Sequence, residues 1–141
     1  MSATAAGRVW REMSIVLTDD AGMVRLNLRH LGRSEATDVL SFGYDPLPGE
    51  EDLPSAEVIV NVQRAVEEGV RRQADDGSWG PCHELALYLA HGCNHLTGLN
   101  DNDSAGRRRM KKRDTAWVRE AQRENLLSGL LEEGDVADQR N

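Results

Sequence analysis

The chain has 141 residues, a length that fits one domain and is short for two. Hydrophobic residues make up 39% and charged residues 29%, a balance that argues against a disordered or fibrous chain. The net charge of −7 argues against a protein that coats nucleic acid through a basic surface. Aromatic residues are only 4%, so a stacking platform for bases is not expected.

The composition also predicts the compartment. No run of about 18 apolar residues occurs, and the first residues carry Arg8, Arg11 and Glu12 where a secretory signal would be apolar. We therefore expect a cytoplasmic chain with no membrane partner. Cys82 and Cys93 are too few for a disulfide framework, and we expect both as reduced thiols.

The first half of the chain reads as strand, helix and strand. Residues 1–12 lack periodicity and are interpreted as a flexible N-terminal arm. The apolar run 13–17 predicts a strand, and the helix that follows is expected to reach about Leu31. Alternation over 37–42 predicts a second strand, and residues 44–54 form an acidic, proline-containing loop.

The second half is predicted to be mainly helical. Residues 56–60 read as a buried strand, and valines and an alanine then recur at helical spacing up to Val70. Pro81 is suited to the first turn of the next helix, which ends near Leu96. A final amphipathic helix is expected over 105–127.

These elements predict a single α/β (α+β) domain. Residues 13–128 would form a small mixed sheet packed with helices, and the mostly apolar helix of residues 82–96 would be central. Residues 129–141 are expected to be a C-terminal tail.

The central helix carries the most informative pattern. His91 and His95 are four residues apart, so their imidazoles project from one helix face and can reach a common ion. Gly98 permits a sharp turn, after which Asp101 can supply a third ligand, giving H-x-x-x-H-x-x-G-x-x-D. Three close ligands leave a position for water, which is typical of a catalytic zinc ion.

Other interpretations of this helix remain open at the level of sequence. Two partly buried histidines bonded to backbone carbonyls or water would satisfy the same spacing. A metallopeptidase would need a glutamate beside the first histidine, where Gly92 stands instead. Glu84 could be an outer partner of the site, His83 is interpreted as a surface residue, and Cys93 as a small buried thiol.

A basic run without acids lies just beyond the metal pattern. It could contact RNA or a partner protein, or form a solvated helix face, since seven residues span nearly two helical turns and fan around the axis. Its members are Arg107, Arg108, Arg109, Lys111, Lys112 and Arg113.

Several separated segments together resemble one known family. Residues 91–98, H-G-C-N-H-L-T-G, resemble the H-G-x-x-H-L-x-G core of the YbeY endoribonucleases, the bacterial rRNA maturation factors. Leu26-Asn27, residues 37–42 (T-D-V-L-S-F) and Met110 also resemble that family's motifs, in the same order. The resemblance covers about residues 13–125.

The resemblance implies a metal-dependent hydrolase that cuts single-stranded RNA in rRNA maturation and ribosome biogenesis. One zinc ion per chain would be held by His91, His95 and Asp101, which act in catalysis through the ion and its water. The expected partner is ribosomal RNA or the small ribosomal subunit. The candidate RNA-binding residues are Arg29, Arg33, Arg107, Arg108 and Lys111.

This chain departs from the family pattern at three positions. Asp101 stands where the family has a histidine ligand, Leu31 where it usually has an arginine, and Asn100 where it usually has an aspartate. A carboxylate ligand makes zinc a weaker Lewis acid. A non-catalytic, metal-containing ribosome-assembly factor is therefore the alternative to the nuclease, and a small metallopeptidase is less favoured.

Overall fold

A three-stranded mixed sheet lies at the centre of the fold. The computed structural model describes residues 4–5, 8–49, 53–98 and 101–131. The elements, in chain order, are β1 (Thr4–Ala5), β2 (Arg8–Val9), β3 (Glu12–Thr18), α1 (Asp20–Leu31), β4 (Val39–Tyr44), β5 (Ser55–Asn61), α2 (Val62–Gln73), α3 (Pro81–Leu96) and α4 (Ser104–Arg123).

The middle strand of the sheet is β5. It pairs in parallel with β3 and antiparallel with β4, so the strand order is β3-β5-β4. Alternate residues of β5 face opposite sides of the sheet. Val58 and Val60 pack in one core cluster with Leu85 and Tyr88 of α3, whereas Ile59 packs in another with Met23 of α1.

Polar side chains fix where three of the helices begin. The carboxylates of Asp19 and Asp103 accept hydrogen bonds from Gly22 N and Gly106 N, and thereby cap α1 and α4. Asn61 caps α2 in the same way. No side chain of the described residues caps α3, which begins instead at Pro81, as the sequence predicts.

Helix α3 lies directly on the sheet because of one glycine. A Cβ atom at Gly92 would lie 2.8 Å from Val58 Cγ1 and 2.9 Å from Val39 Cγ2. The Ser41 hydroxyl donates to the carbonyl oxygen of Gly92 over 2.8 Å. The helix segment that carries both histidines is therefore held against β4 and β5.

The structure confirms the α+β fold with a small mixed sheet and a central α3. Its differences from the sequence predictions are local. Helix α4 ends at Arg123, and Leu127 is buried beyond it in irregular structure. Trp10, within the segment interpreted as an arm, is 4% exposed because its indole ring packs against Gly43 and the core.

Parts of three predicted segments lie outside the described residues. These are residues 1–3 and 6–7 of the expected arm, 50–52 of the acidic loop and 132–141 of the expected tail. Asn100, one of the three departures from the family pattern, also lies outside the described residues. Leu131, at the start of that tail, packs against the main core cluster. In the described ranges, the helices lack the combined length and apolar character needed to cross a bilayer.

Candidate metal centre

Three ligand groups converge at the C-terminal end of α3. His91 and His95 lie one helical turn apart, and Asp101 follows the turn at Gly98, whose φ of 88° favours glycine. One ligand atom from each of the three residues lies within 4.8 Å of the others. The two Nε2 atoms are 3.0 Å apart, and Asp101 Oδ2 is 3.9 Å from His95 Nε2.

A buried aspartate on α4 orients the first histidine. His91 Nδ1 donates to Asp114 Oδ2 over 2.8 Å, and Asn94 Nδ2 donates to Asp114 Oδ1 over 2.7 Å. Asp114 is 4% exposed. With Nδ1 engaged, His91 presents Nε2 toward His95 and Asp101, an arrangement common around metal-binding histidines.

The electrostatics of His91 follow from the same contact. The hydrogen bond from His91 to the Asp114 carboxylate raises the pKa of the imidazole, and partial burial opposes this rise by lowering it. The negative charges of Asp114, Asp38 and Asp101 raise the pKa further. A cationic group at this point is therefore favoured by the surrounding carboxylates.

The donor set fits a zinc ion. Two imidazoles and one carboxylate are among the ligands that zinc takes in catalytic sites, where three protein ligands leave a fourth position open. His95 and Asp101 keep side-chain exposures of 34% and 43%, so the site is reached from solvent. An ion bound by these three residues would be accessible to a water molecule or substrate.

A cavity of about 620 Å³ adjoins the candidate metal centre. Helices α2, α3 and α4 all contribute side chains to it. Its lining residues are Asp38, Arg64, Glu67, Glu68, Arg72, Glu84, Leu87, Tyr88, His91, Asp101, Arg107, Met110, Lys111 and Asp114. Both signs of charge are present, with acids more numerous than bases.

The structure separates the candidate RNA-binding residues into two groups. Arg107 and Lys111 line this cavity together with His91 and Asp101. Arg29 and Arg33, at the C-terminal end of α1 and just after it, and Arg108 on α4 are exposed and are not lining residues. Residues of the basic run therefore lie on different faces of α4, and only some of them face the cavity.

Glu84 and His83 have surroundings that the sequence did not predict. Glu84 is 1% exposed and accepts a hydrogen bond from Trp79 Nε1 over 2.8 Å, with Arg72 Nη1 at 3.5 Å. The expected surface position of His83 is wrong: both ring nitrogens are buried, and they have no hydrogen-bond partner among the described residues. The reason is that the ring packs against the Trp79 indole, with centroids 5.1 Å apart.

Neither Cys82 nor Cys93 forms a disulfide bond, and Cys93 lacks the thiolate character of a nucleophile. Burial raises the pKa of the Cys93 thiol to about 11, so the thiol is protonated at neutral pH. The interpretation of Cys93 as a small buried thiol agrees with this environment.

Asp114 is the site residue that sequence reasoning missed. A signal for it exists in the α4 pattern, because Asp114 lies on the same stripe as Met110, Val118 and Ala121, all of which are buried. An acid at a buried helical position requires a partner, and the nearest available donors belong to α3. Arg64 and Arg72, which line the cavity from α2, were also not singled out.

Comparisons with known proteins agree with the motif pattern. The family model described as Endoribonuclease YbeY matches residues 2–122. An Endoribonuclease YbeY of Anaeromyxobacter sp. (strain Fw109-5) is 34% identical over 133 residues, which are 94% of this chain and 65% of that protein. The Endoribonuclease YbeY of Wolinella succinogenes is 34% identical over 104 residues, 74% of this chain and 69% of its own.

The chain thus spans about two thirds of the length of these curated relatives. Among solved structures, the solution structure of TM1509 from Thermotoga maritima superposes with a TM-score of 0.49 at 25% identity. That alignment covers 88% of this chain and 76% of the other. On the match of the family model to residues 2–122, this chain belongs to the YbeY endoribonuclease family.

Proposed function

We propose that this chain is a zinc-dependent endoribonuclease that cuts single-stranded RNA in the maturation of ribosomal RNA, in the cytoplasm. The observation that carries the proposal is the convergence of His91, His95 and Asp101 within 4.8 Å at the edge of a cavity large enough for a nucleotide. The name of the relatives, Endoribonuclease YbeY, supports the reaction type.

The proposed ligands are held by contacts that do not depend on the ion. Asp114 accepts from His91 Nδ1, which leaves the lone pair of Nε2 available. Arg107 donates from Nη1 to the backbone carbonyl of Asp101 over 3.3 Å and from Nη2 to Ser104 Oγ over 3.3 Å. The arginine thereby ties the turn that carries the third ligand to the first turn of α4.

A zinc ion bound there would activate a water molecule and offset negative charge that develops on the phosphodiester. The task of the chain's own residues is to align the RNA backbone with that ion. Arg107 and Lys111, which line the cavity, are the proposed RNA contacts near the scissile bond. Arg29, Arg33 and Arg108 would meet RNA only where it extends beyond the cavity.

A non-catalytic ribosome-assembly factor is the second candidate function. Two observations favour it: Asp101 supplies a carboxylate where the resemblance calls for a third imidazole, and Leu31 is 51% exposed outside the cavity. A chain with these residues would keep a weaker Lewis acid and lack one expected cation. Binding of metal and ribosomal RNA would then persist without turnover.

Metal content per chain tests the first step of the proposal. Elemental analysis of protein purified without added metal should give near one zinc ion in the parent and clear loss in Asp101→Ala. Asp75→Ala, a matched removal of an exposed carboxylate outside this cavity, should keep the ion. A folded parent without bound metal would contradict the zinc site.

Cleavage of a single-stranded RNA oligonucleotide tests the reaction. The parent should cut the RNA, lose activity with a chelator, regain it with added zinc, and be inactive as His95→Ala. Equal cleavage by the chelated protein would point to a contaminating nuclease. A parent that binds RNA without cutting, and gains activity in the double variant Asp101→His, Leu31→Arg, would establish the assembly-factor alternative.

A further inference from the structure

The carboxylates that line the cavity are already engaged by internal partners. Glu68 forms an ion pair with Arg71 over 2.6 Å, and Glu84 accepts from Trp79 with Arg72 close by. The remaining acids are engaged as follows: Glu67 accepts from Gln63, Asp38 accepts from Val39 N, and Asp114 accepts from His91 and Asn94. Asp101 is the candidate metal ligand.

Two cations of the same cavity have no such partner. Across residues 4–5, 8–49, 53–98 and 101–131, the side chains of Arg64 and Lys111 make no hydrogen bond or ion pair, whereas Arg72 and Arg107 do. Arg64 is half-buried and Lys111 is exposed. Acids outnumber bases in the lining, and the whole chain is acidic. Arg64 and Lys111 differ from the other two lining cations because no hydrogen bond or ion pair among the described residues holds their side chains.

The two cations stand on different walls of the cavity. Arg64 belongs to α2 and Lys111 to α4, and both helices pack against α3, which carries His91 between them. A single phosphate group needs only one such position. Two separated cations with a candidate metal site between them suit a chain with repeated phosphates, which is the chemistry of a nucleic-acid backbone.

We infer that Arg64 and Lys111 bind two backbone phosphates of one single-stranded RNA, on either side of the candidate metal centre. The inference rests on the proposed function for the identity of the polyanion. The strand crosses α3 near His91, and its path runs from the α2 wall to the α4 wall. Arg64 is a positioning residue in this arrangement, since it holds the backbone and takes no part in bond cleavage.

The salt dependence of RNA binding tests this assignment directly. Fluorescence anisotropy with a short single-stranded RNA, measured with a chelator present to prevent turnover, gives the slope of log K against log salt. Each phosphate contact in a single strand contributes about 0.7 to that slope, so Arg64→Gln and Lys111→Gln should each lower its magnitude by about 0.7. At 0.1 M salt, each variant should bind about fivefold more weakly, and the double variant should lose about 1.4 in slope.

The chain offers matched controls for both substitutions. Lys112 is the exposed neighbour of Lys111 and does not line the cavity, and Arg119 is an exposed arginine farther along α4. Lys112→Gln and Arg119→Gln should keep the parental slope within about 0.2, since they remove no site-bound phosphate. Circular dichroism of every variant shows whether the fold is retained.

The possible outcomes separate this inference from the proposed nuclease activity. Equal slopes for Arg64→Gln and the parent, equal losses for Lys111→Gln and Lys112→Gln, or a parent that does not bind RNA would each overturn the inference. If the parent cleaves RNA but Arg64→Gln keeps the parental salt slope, the proposed nuclease activity is supported and the proposed RNA path is contradicted. If both variants show the predicted decrease in salt slope but the parent does not cleave RNA, the proposed RNA path is supported and the proposed nuclease activity is contradicted.

Discussion

Helices α3 and α4 both contribute to the candidate metal centre, and they do so by different means. Seven of the 16 residues of α3 are buried, against five of the 20 residues of α4. On α3 the close packing at Gly92 places the helix segment that carries both histidines against the sheet. On α4 most charged side chains are exposed, and the one buried acid, Asp114, is the residue that reaches across to α3. A polar side chain is therefore held in one orientation when it is buried and hydrogen-bonded, as Asp114 is. A high number of exposed charges on a helix does not have this effect.

The largest effect is expected where α3 meets the sheet. Gly92→Val would force new carbons against Val58, Val39 and Ser41, all of which lie within 3.0 Å of the position of Cβ alone. We expect a loss of about 3 kcal/mol in the free energy of unfolding, measured by urea denaturation. Gly77→Val, in a turn with open space around the glycine, should change stability by no more than about 0.5 kcal/mol. Equal effects at the two glycines would contradict the close packing of α3.

Metal affinity should depend next on the contact between the two helices. Asp114→Asn keeps the shape of the side chain but removes the charge that orients His91, so zinc affinity should fall about 10- to 100-fold. Competition with a chelating dye measures this change. Glu120→Gln, at an exposed acid of α4 paired with Arg123, should leave the affinity unchanged. A zinc affinity equal to that of the parent would show that His91 needs no aspartate to bind metal.

Two tryptophans differ in their contacts: Trp79 donates to a buried carboxylate, and Trp117 is partly exposed. Trp79→Phe removes the indole N–H that Glu84 accepts from, and we expect a loss of about 2 kcal/mol because that carboxylate is buried. Trp117→Phe on α4 should cost less than about 0.5 kcal/mol, since Trp117 is 37% exposed. Thermal or urea unfolding measures both, and a Trp79 effect as small as that of Trp117 would show that Glu84 does not need this bond.

The smallest expected effect concerns the start of α4. Asp103→Ala removes the cap on Gly106 N, and the helix that carries Asp114 should lose about 1 kcal/mol of stability. The matched exposed substitution Asp75→Ala should be neutral in the same unfolding measurement. A fully neutral Asp103→Ala would mean that α4 is held by its packing on α3 alone.

Local patterns predicted most of the elements correctly. The structure contains the strands predicted at 13–17 and 56–60, and each is one residue longer at both ends. The first helix ends at Leu31, as predicted. The starting turn at Pro81 also agrees. Apolar periodicity and capping residues involve only a few neighbouring positions, so they can be recognised in the sequence without knowledge of the fold. Trp10 was missed because its burial depends on Gly43, which is distant in sequence.

The sequence alone determined the three candidate ligands, because the spacing of His91 and His95 and the glycine before Asp101 are local properties of one helix and its turn. Only the tertiary structure decided which groups surround them. Asp114 reaches His91 from another helix, and Lys111 lines the cavity while Lys112 does not. These facts depend on how α2 and α4 pack against α3, and long-range packing leaves no fixed spacing in the chain.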